Sequence, residues 1–432
     1  MYGDKQDDLY ESSFFVSRGS LDNTETYTKT QVRSMVQAVL SDSVNLSTFI
    51  GSGASVPEVP LMGKSFSNFR QSYKDKDALD TKICEFLKMS PSSDSNSVKE
   101  DKPNNDKSDE LKGFKDIESF LSWLDYRIKG NADDSGKDRR LFDDIVHDLI
   151  SSIKKGDSAA AQSSTSETSK NYQKVIQGLG ESRKILNAHG VNHSDIVNLF
   201  TTNYDLCHER ALEASRYVYT DGFTTGINNT FSMTEFHRRP ADLDNRFKNR
   251  MELIVPFFRL VKLHGSINWK TSNGQITRSH DVKDEEVLIS PTSSKFALTQ
   301  DEPYSDLFRE FVNILAAPNT VLFTAGFSFG DAHIAKLIRN ALERPDFTLY
   351  AFVPDPRSTD STGLAKFYAE VKSANAFFIY PAKDKNGKDA GKNAPLQFTD
   401  FADFFAPSTF VAAEEGQANE STESSNKDGS GE

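Results

Sequence analysis

Cysteine is scarce in this sequence. Only Cys84 and Cys207 occur among the 432 residues. Two thiols cannot build a disulfide framework, nor the four-thiolate site of a zinc ribbon, within one chain. The scarcity is typical of the reducing cytoplasm, where we expect this protein to be located.

The sequence also has fewer basic than acidic residues, and it lacks long apolar runs. The 51 Lys and Arg residues are outnumbered by 63 Asp and Glu residues, which gives a net charge of −12. Because binding to a nucleic-acid backbone depends on clustered Lys and Arg, direct nucleic-acid binding is not expected. No apolar run approaches the ~18 residues of a membrane helix, and the N-terminal segment lacks the basic and apolar parts of an export signal. We therefore expect a soluble protein that has no membrane partner.

Short apolar runs that alternate with amphipathic segments are the main pattern along the chain. The apolar runs predict strands at 46–50, 196–201, 259–263, 286–290, 320–325, 348–353 and 376–380. The amphipathic segments predict helices at 27–40, 204–215, 304–316, 331–342 and 362–373. Strands of this kind separated by helices indicate an α/β fold with a Rossmann-like, doubly wound parallel sheet. Ligands of such sheets bind beyond the carboxyl ends of the strands.

The spacing of the strands indicates how the chain is divided. About 145 residues separate the first two predicted strands, far more than a crossover connection needs. We therefore predict a main domain at 45–410 with an insertion at about 75–190. An N-terminal segment with a helix, 1–44, precedes this domain, and an acidic, disordered tail, 411–432, follows it.

Within the insertion, two segments have apolar residues at helical spacing. They lie at 117–124 and 141–149 and predict a helical middle part. The stretches 91–109 and 157–170 are rich in Ser, Asp and Lys. Such stretches have little apolar surface to offset the entropy of ordering, so we predict mobile loops there.

A segment with two glycines follows the first predicted strand. Glycine lets the backbone turn tightly and approach a pyrophosphate, while the following amides can donate to the anion. The residues expected to bind a dinucleotide here are Gly51, Ser52, Gly53 and Ser55. A plain turn between a strand and a helix would use the same residues, so the segment alone leaves both interpretations open.

Polar side chains also end the strand predicted at 196–201. They belong to Thr202, Asn203 and Asp205. An Asn and an Asp two residues apart at a strand exit can hydrogen-bond a ribose and a carboxamide together. Because Thr, Asn and Asp are favoured helix caps, an ordinary capping turn is the alternative.

The strands at 259–263, 320–325 and 348–353 are each followed by further candidates. Histidine is the usual side chain for proton transfer near neutral pH, so His264 could accept a proton from a ribose hydroxyl or a water, with a half-buried structural histidine as the alternative. Small and hydroxyl-bearing residues after the second strand suit contact with an adenosine ribose or a phosphate, and Asp331 could cap the next helix. The remaining expected cofactor-binding residues are Gly326, Phe327, Ser328 and Asp355.

Four segments, each after a predicted strand, carry a family resemblance. They are GSGAS at 51–55, TTNYD at 201–205, LHGS at 263–266 and GFSFGDAHI at 326–334. In this order they resemble the nucleotide-binding signatures of sirtuins, and they are closer still to the sirtuin-like proteins of bacterial anti-phage defence. The segment LISPTSSK at 288–295 is similar to that bacterial branch too. The resemblance covers about 45–380 and implies a fold of sirtuin type that binds NAD+.

The sequence departs from deacylating sirtuins in two places. Those enzymes have a zinc ribbon with two Cys-x-x-Cys pairs after the catalytic histidine, and no cysteine follows Cys207 here. We therefore expect neither a zinc ribbon nor a bound metal. The sirtuin glycine loop also continues into a Pro-Asp-Phe-Arg element, which is replaced here by VPLMG at 59–63.

What the resemblance implies is an NAD+ hydrolase that releases nicotinamide and ADP-ribose and depletes NAD in abortive-infection defence. Asn203 would orient the ribose and the attacking water, His264 would remove a proton, and Asp205 would bind the carboxamide. Control would come from homo-oligomer assembly or from a HerA-type ATPase partner. The alternatives are a module that senses NAD or another nucleotide without turnover, and a protein deacylase or ADP-ribosyltransferase.

Overall fold

The computed structural model describes residues 13–20, 23–42, 44–89, 114, 117–130, 135–162, 166–190, 195–247, 250–272, 274–279, 283, 287–289, 303–357, 362–383 and 396–407. The loop predicted at 91–109, the tail at 411–432 and residues 290–295 of the LISPTSSK segment lie outside these ranges. Among the described helices, none is long and apolar enough to cross a membrane.

The described residues contain fourteen strands. They are β1 (Ser13–Arg18), β2 (Thr24–Thr28), β3 (Asn45–Ile50), β4 (Ile196–Thr201), β5 (Val218–Thr220), β6 (Ala241–Phe247), β7 (Arg250–Leu253), β8 (Phe257–Lys262), β9 (Gly265–Ser272), β10 (Gln275–Arg278), β11 (Val287–Ile289), β12 (Thr320–Ala325), β13 (Phe347–Phe352) and β14 (Ala376–Lys383). Nine of these form one sheet in the order β2-β1-β14-β13-β12-β3-β4-β8-β5. The seven strands from β14 to β5 run parallel, and β1 and β2 extend one edge in antiparallel pairing.

Helices cover both faces of this sheet. Those described are α1 (Lys29–Leu40), α2 (Met62–Ser72), α3 (Lys76–Met89), α4 (Ile117–Lys129), α5 (Ser135–Gln162), α6 (Glu167–Ala188), α7 (Cys207–Ala214), α8 (Tyr304–Leu315), α9 (Ala332–Ala341), α10 (Thr362–Glu370) and α11 (Phe398–Phe405). Side chains alternate between the two faces along a strand. Phe323 therefore packs into the core that also contains α1, α6, α7 and α11. Its neighbour Leu322 packs into the core on the other face, with α8, α9 and α10. This is the predicted doubly wound arrangement, consistent with a Rossmann-like fold of sirtuin type.

The chain changes direction across the sheet beside β3. From β3 the sheet continues through β4 to β8, and the chain later returns to place β12 on the other side of β3. Because ligands of doubly wound sheets bind at such a switch point, the carboxyl ends of β3, β4, β8 and β12 are where a site is expected.

Helices α2 to α5, between β3 and β4, form a cap with its own core. The residues of 117–124 noted for their helical spacing, Ile117, Phe120, Leu121 and Leu124, are each at most 2% exposed in this core. The predicted helical middle of the insertion is therefore confirmed. The described helices of this region begin at Met62, ahead of the boundary predicted near residue 75.

Three predicted elements differ from the structure. The helix predicted at 27–40 begins at Lys29, because Tyr27 and Thr28 still pair with β1 and the Thr28 side chain caps the helix. The helix predicted at 204–215 begins at Cys207. The strand predicted at 286–290 is present as β11, but it pairs antiparallel with β9 outside the main sheet.

The prediction of a mobile loop at 157–170 is wrong for the described residues of this stretch, 157–162 and 166–170. Helix α5 continues to Gln162, and Ser166 caps the start of α6. Asp157 is buried, and its carboxylate accepts hydrogen bonds from the Leu206 amide, at 2.8 Å, and from the Arg210 guanidinium. Tertiary contacts that composition does not reveal therefore hold this polar stretch in helical form.

Candidate functional site

A cavity of about 350 Å³ lies between the carboxyl ends of the central strands and the helical cap. Its volume falls within the range of small-molecule sites, roughly 300–1,000 Å³. The predicted site residues that line it are Ser52, Ser55, Thr202, Asn203, Asp205, His264, Gly326, Phe327 and Ser328. The cap closes the cavity with Met62, Ile117, Glu118, Leu149 and Ile153. Four segments that are far apart in the sequence are therefore brought together.

Gly51 and Gly53 are not part of the cavity lining, and their role in the structure is contact between two loops. The Gly51 amide donates to the Ala325 carbonyl at 2.9 Å, and the Gly53 amide donates to the Gly326 carbonyl at 3.0 Å. A Cβ atom on Gly51 would lie 2.5 Å from the Gly326 oxygen. The glycines thus let the loops after β3 and β12 pack backbone to backbone, which places Ser52, Ser55 and Ser328 beside one another around the cavity.

The segment after β3 also differs from the expected helix N-terminus. Residues Ser52–Ser55 form a short 3-10 helix, and the next α-helix, α2, begins only at Met62. The sequence predicts that amides at a helix N-terminus donate to an anion here. In the structure only the separate backbone amides of this short turn could do so.

Asp355 is not brought to the cavity. It lies in the loop after β13, and both of its carboxylate oxygens accept from the Arg357 guanidinium, at 3.0 and 3.2 Å. Asp355 also accepts from the Arg357 amide at 2.9 Å. The structure thus gives Asp355 a local partner, away from the other predicted site residues.

Asn203 is held at the floor of the cavity. Thr201 Oγ1 donates to the Ile50 carbonyl at 2.7 Å and accepts from the Asn203 amide at 2.9 Å, which ties β4 to β3 at their ends. The Asn203 side chain donates through Nδ2 to Ser55 Oγ at 3.2 Å and to the Tyr172 hydroxyl at 3.3 Å. Asn203 is only 4% exposed, and within the described ranges its Oδ1 has no hydrogen-bond partner. A buried acceptor left unpaired costs about 1–3 kcal/mol, so it calls for a functional explanation.

Asp205 is bound by protein donors on both oxygens. Ser55 Oγ donates to Asp205 Oδ2 at 2.9 Å, and the Cys207 amide donates to Oδ1 at 3.1 Å. The second contact is an Asx turn just before α7, whose N-cap is Leu206 and has no side-chain capping hydrogen bond. Since a carboxylate has about four lone-pair sites, Asp205 can make both contacts and still accept from a ligand.

Tyr172 is a residue of this site that the sequence interpretation missed. It lies on α6, within the predicted insertion, and is fully buried. Its hydroxyl lies 3.0 Å from Ser55 Oγ, and burial followed by the charge of Asp205 raises the pKa of its phenol well above the usual range. The sequence offers no local signal for this role, because Tyr172 stands in a helical pattern that predicts packing alone.

His264 lies opposite a carboxylate that was expected only to cap a helix. Asp331 does cap α9, since its Oδ1 accepts from the His333 amide at 3.0 Å and from the Ile334 amide at 3.2 Å. Its other oxygen, Oδ2, lies 3.3 Å from His264 Nε2. His264 is 5% exposed, so the two groups face each other in a largely dry environment. A carboxylate at this distance stabilises the protonated form of an imidazole.

Lys262 joins the Asn203 and His264 segments beneath the cavity. It is 1% exposed and donates to Glu209 Oε1 at 2.9 Å, to Ser266 Oγ at 2.8 Å and to the Asp205 carbonyl. The three donors of the ammonium group are therefore all used. Lys262 therefore links the end of β8, the start of β9 and helix α7 through its hydrogen bonds.

The charges that face the cavity are mainly negative. Its lining includes three carboxylate residues, Glu118, Asp205 and Asp331, and none of its described lining residues is Lys or Arg. At this end of the sheet the electrostatic potential therefore favours a ligand group of positive charge. Among the described residues, no group of three or more His, Cys, Asp or Glu side chains could hold a metal ion.

The fold is that of a doubly wound α/β protein, and the candidate cavity lies at its topological switch point. A family model described as a SIR2-like domain matches residues 197–374. This match supports a sirtuin-like family, whose members are NAD-dependent enzymes. It includes Asn203, Asp205, His264 and the loop after β12, and it begins after the glycine segment and the cap. No curated protein matches the chain.

Proposed function

We propose that this protein hydrolyses NAD+ to nicotinamide and ADP-ribose. The observation that carries the proposal is the buried amide of Asn203, which has an unpaired Oδ1 among the described residues and lines the same cavity as His264. An acceptor after β4 and a base after the neighbouring strand β8 suit a nucleoside that reacts with one water. The carboxylates of the lining support the choice of ligand, because the nicotinamide ring of NAD+ is cationic.

The proposed reaction breaks the bond between ribose C1′ and the ring nitrogen, and the bonding electrons leave with neutral nicotinamide. Asn203 Oδ1 accepts a hydrogen bond from the attacking water or from a ribose hydroxyl, which places the oxygen against C1′. Water forms the new bond to C1′, and its proton passes to His264. The Asp331 carboxylate, 3.3 Å from His264 Nε2, stabilises the imidazolium that results. The negative charges of Asp205 and Glu118 stabilise the positive charge that develops on the ribose.

The resemblance noted in the sequence also suggests a role for this reaction in the cell. We propose that NAD depletion serves abortive-infection defence, and that assembly or a HerA-type ATPase restrains the activity until infection. Hydrolysis with water as acceptor separates this proposal from deacylation and from ADP-ribosyl transfer, which both consume a protein acceptor.

The test is to incubate the purified chain with NAD+, alone and with any co-purifying partner, and to quantify nicotinamide and ADP-ribose by liquid chromatography. We expect equal amounts of the two products without a protein acceptor. Asn203→Ala and His264→Ala should each reduce the rate by about 10²- to 10⁴-fold, because each removes a group that acts on the reacting atoms. Asn187→Ala, at an exposed position of α6, is the control and should be fully active.

Two results would contradict the proposal. NAD+ that binds and stays intact under every condition would make the site a sensor. Nicotinamide release that requires an acylated peptide would make the protein a deacylase.

A further inference from the structure

Three separate parts of the chain meet at the Tyr172 hydroxyl. It lies 3.0 Å from Ser55 Oγ, in the turn after β3, and 3.3 Å from Asn203 Nδ2, in the loop after β4. Helix α6 brings Tyr172 to this point from the insertion. All three side chains are at most 4% exposed, so bulk water does not compete for these hydrogen bonds.

The donors and acceptors of this cluster permit one consistent arrangement. The Asp205 carboxylate can only accept, so the single proton of Ser55 is donated to it, over 2.9 Å. Ser55 Oγ therefore accepts from the Tyr172 hydroxyl, which stays protonated because burial raises the pKa of its phenol. The Tyr172 oxygen and Ser55 Oγ, which lie 3.0 Å apart, both accept from Asn203 Nδ2.

This arrangement determines which way the Asn203 amide faces. With Nδ2 facing Ser55 and Tyr172, Oδ1 is the atom left without a protein partner among the described residues. The opposite orientation would set Oδ1 against Ser55 Oγ, whose proton already lies toward Asp205, so two oxygens would face each other without a proton between them. Tyr172, whose proton is donated to Ser55, presents a second acceptor to Nδ2 and so adds to this preference.

We propose that Tyr172 is a positioning residue of the active site, which holds the Asn203 amide with its acceptor oxygen toward the reacting ribose or water. This inference rests on the proposed function. Because Tyr172 lies on α6, the insertion would supply a residue that the proposed active site needs and that the rest of the main domain does not provide.

The test is Tyr172→Phe, which removes the hydroxyl and keeps the ring against His208, its edge-on neighbour at 4.9 Å. We expect kcat for NAD+ cleavage to fall by about 10- to 100-fold, because the amide loses its orientation while the cavity keeps its shape. KM should stay within about twofold. The control is Tyr217→Phe, a tyrosine that packs on the same helix and donates to Glu181 Oε1 at 3.1 Å, and its kinetics should be unchanged.

A structural role would give a different result. If Tyr172→Phe lowers the number of ADP-ribose sites per chain in calorimetry in proportion to its activity, the substitution only unfolds part of the protein and the proposal is overturned. Unchanged kcat would overturn it as well. Ser55→Ala gives a second test, since it breaks the same chain of hydrogen bonds, and the double variant should be no slower than the slower single variant.

The failure of this proposal can be told apart from failure of the proposed function. If the wild-type chain binds NAD+ without cleaving it, the hydrolase proposal is wrong, and the positioning role is then measured by affinity. In that case Tyr172→Phe and Asn203→Ala should weaken NAD+ binding to a similar extent, and an unchanged affinity of Tyr172→Phe would refute the role of Tyr172.

Discussion

At the scale of single residues, the contact between the loops after β3 and β12 depends on the absence of side chains. Gly326 has φ +64°, a conformation that side-chain-bearing residues rarely adopt. A Cβ atom on it would lie 2.4 Å from the Ala54 nitrogen and 2.9 Å from the Gly51 oxygen. Gly190 has nearly the same φ, +66°, with no atom within 4 Å of an added Cβ. A comparison of the two positions therefore separates the cost of the left-handed backbone from the cost of steric overlap.

Substituting each of these glycines by alanine should measure that difference. Gly190→Ala should cost about 1–2 kcal/mol of stability, the cost of the left-handed backbone for alanine. Gly326→Ala should cost about 1–3 kcal/mol more, because the added methyl forces the two loops apart. Chemical denaturation of both variants tests this, and Gly326→Ala should also lose NAD+ binding. Equal stability of the two variants would show that the loops can separate without cost.

A second effect at the residue scale is the dependence of stability on pH. His208 is buried beside Tyr172, and burial followed by the charge of Lys262 lowers its pKa to about 3. In the unfolded chain its pKa is about 6.5, so between these two values the unfolded state binds the additional proton. Stability therefore falls as pH decreases through this window, by about 1.4 kcal/mol per pH unit from this group.

One substitution tests whether His208 causes this dependence of stability on pH. His208→Phe keeps a ring against Tyr172 and cannot be protonated, so it should lose about 2 kcal/mol less stability than wild type between pH 7 and pH 5. His189→Phe, at an exposed histidine, should retain the wild-type dependence. Denaturant midpoints at the two pH values give the comparison, and identical losses in wild type and His208→Phe would mean that other groups cause the acid sensitivity.

At the scale of elements, strands with continuous apolar sequence were predictable and those at the edge were not. The bounds of β4 and β12 follow from apolar runs that are buried on both faces of the sheet. In contrast β2 has the sequence TETYT and is largely exposed at the edge, so no apolar pattern marks it. Helix α11 was also missed, although Phe398, Phe401, Ala402 and Phe405 stand at helical spacing. That signal was present in the sequence.

The candidate site could likewise be predicted only in part. Residues that follow strands could be predicted to lie together, because parallel strands end at one edge of the sheet. Their partners could not be predicted, since Tyr172 and Asp157 come from helices whose docking depends on the whole fold. The mobile loop predicted at 157–170 illustrates this, because the buried Asp157 carboxylate has its partners in Leu206 and Arg210, about fifty residues further along the chain.

At the scale of the whole molecule, the last described helix, α11, packs against the segment of α6 that carries Tyr172. Phe398 of α11 packs on Tyr172 at 5.1 Å, and Asn171 donates to Thr399 Oγ1 at 3.0 Å. Lys174 pairs with Asp403 at 3.0 Å, and Phe401, Phe404 and Phe405 are fully buried in the core beneath the sheet. The segment that bears Tyr172 is therefore held between the cavity and α11.

Two truncations of the chain test this dependence. Removal of residues 412–432, which are acidic and rich in Ser and Gly and supply no site residue, should leave stability and NAD+ cleavage unchanged. Removal of residues 398–432 also deletes α11 and exposes the apolar faces of α1 and α6. Each buried phenylalanine contributes roughly 1.5–3 kcal/mol, so the shorter chain should be insoluble or lose both stability and activity. Thermal unfolding and the nicotinamide assay on both chains give the answer. A fully active chain without α11 would show that α6 holds Tyr172 in place unaided.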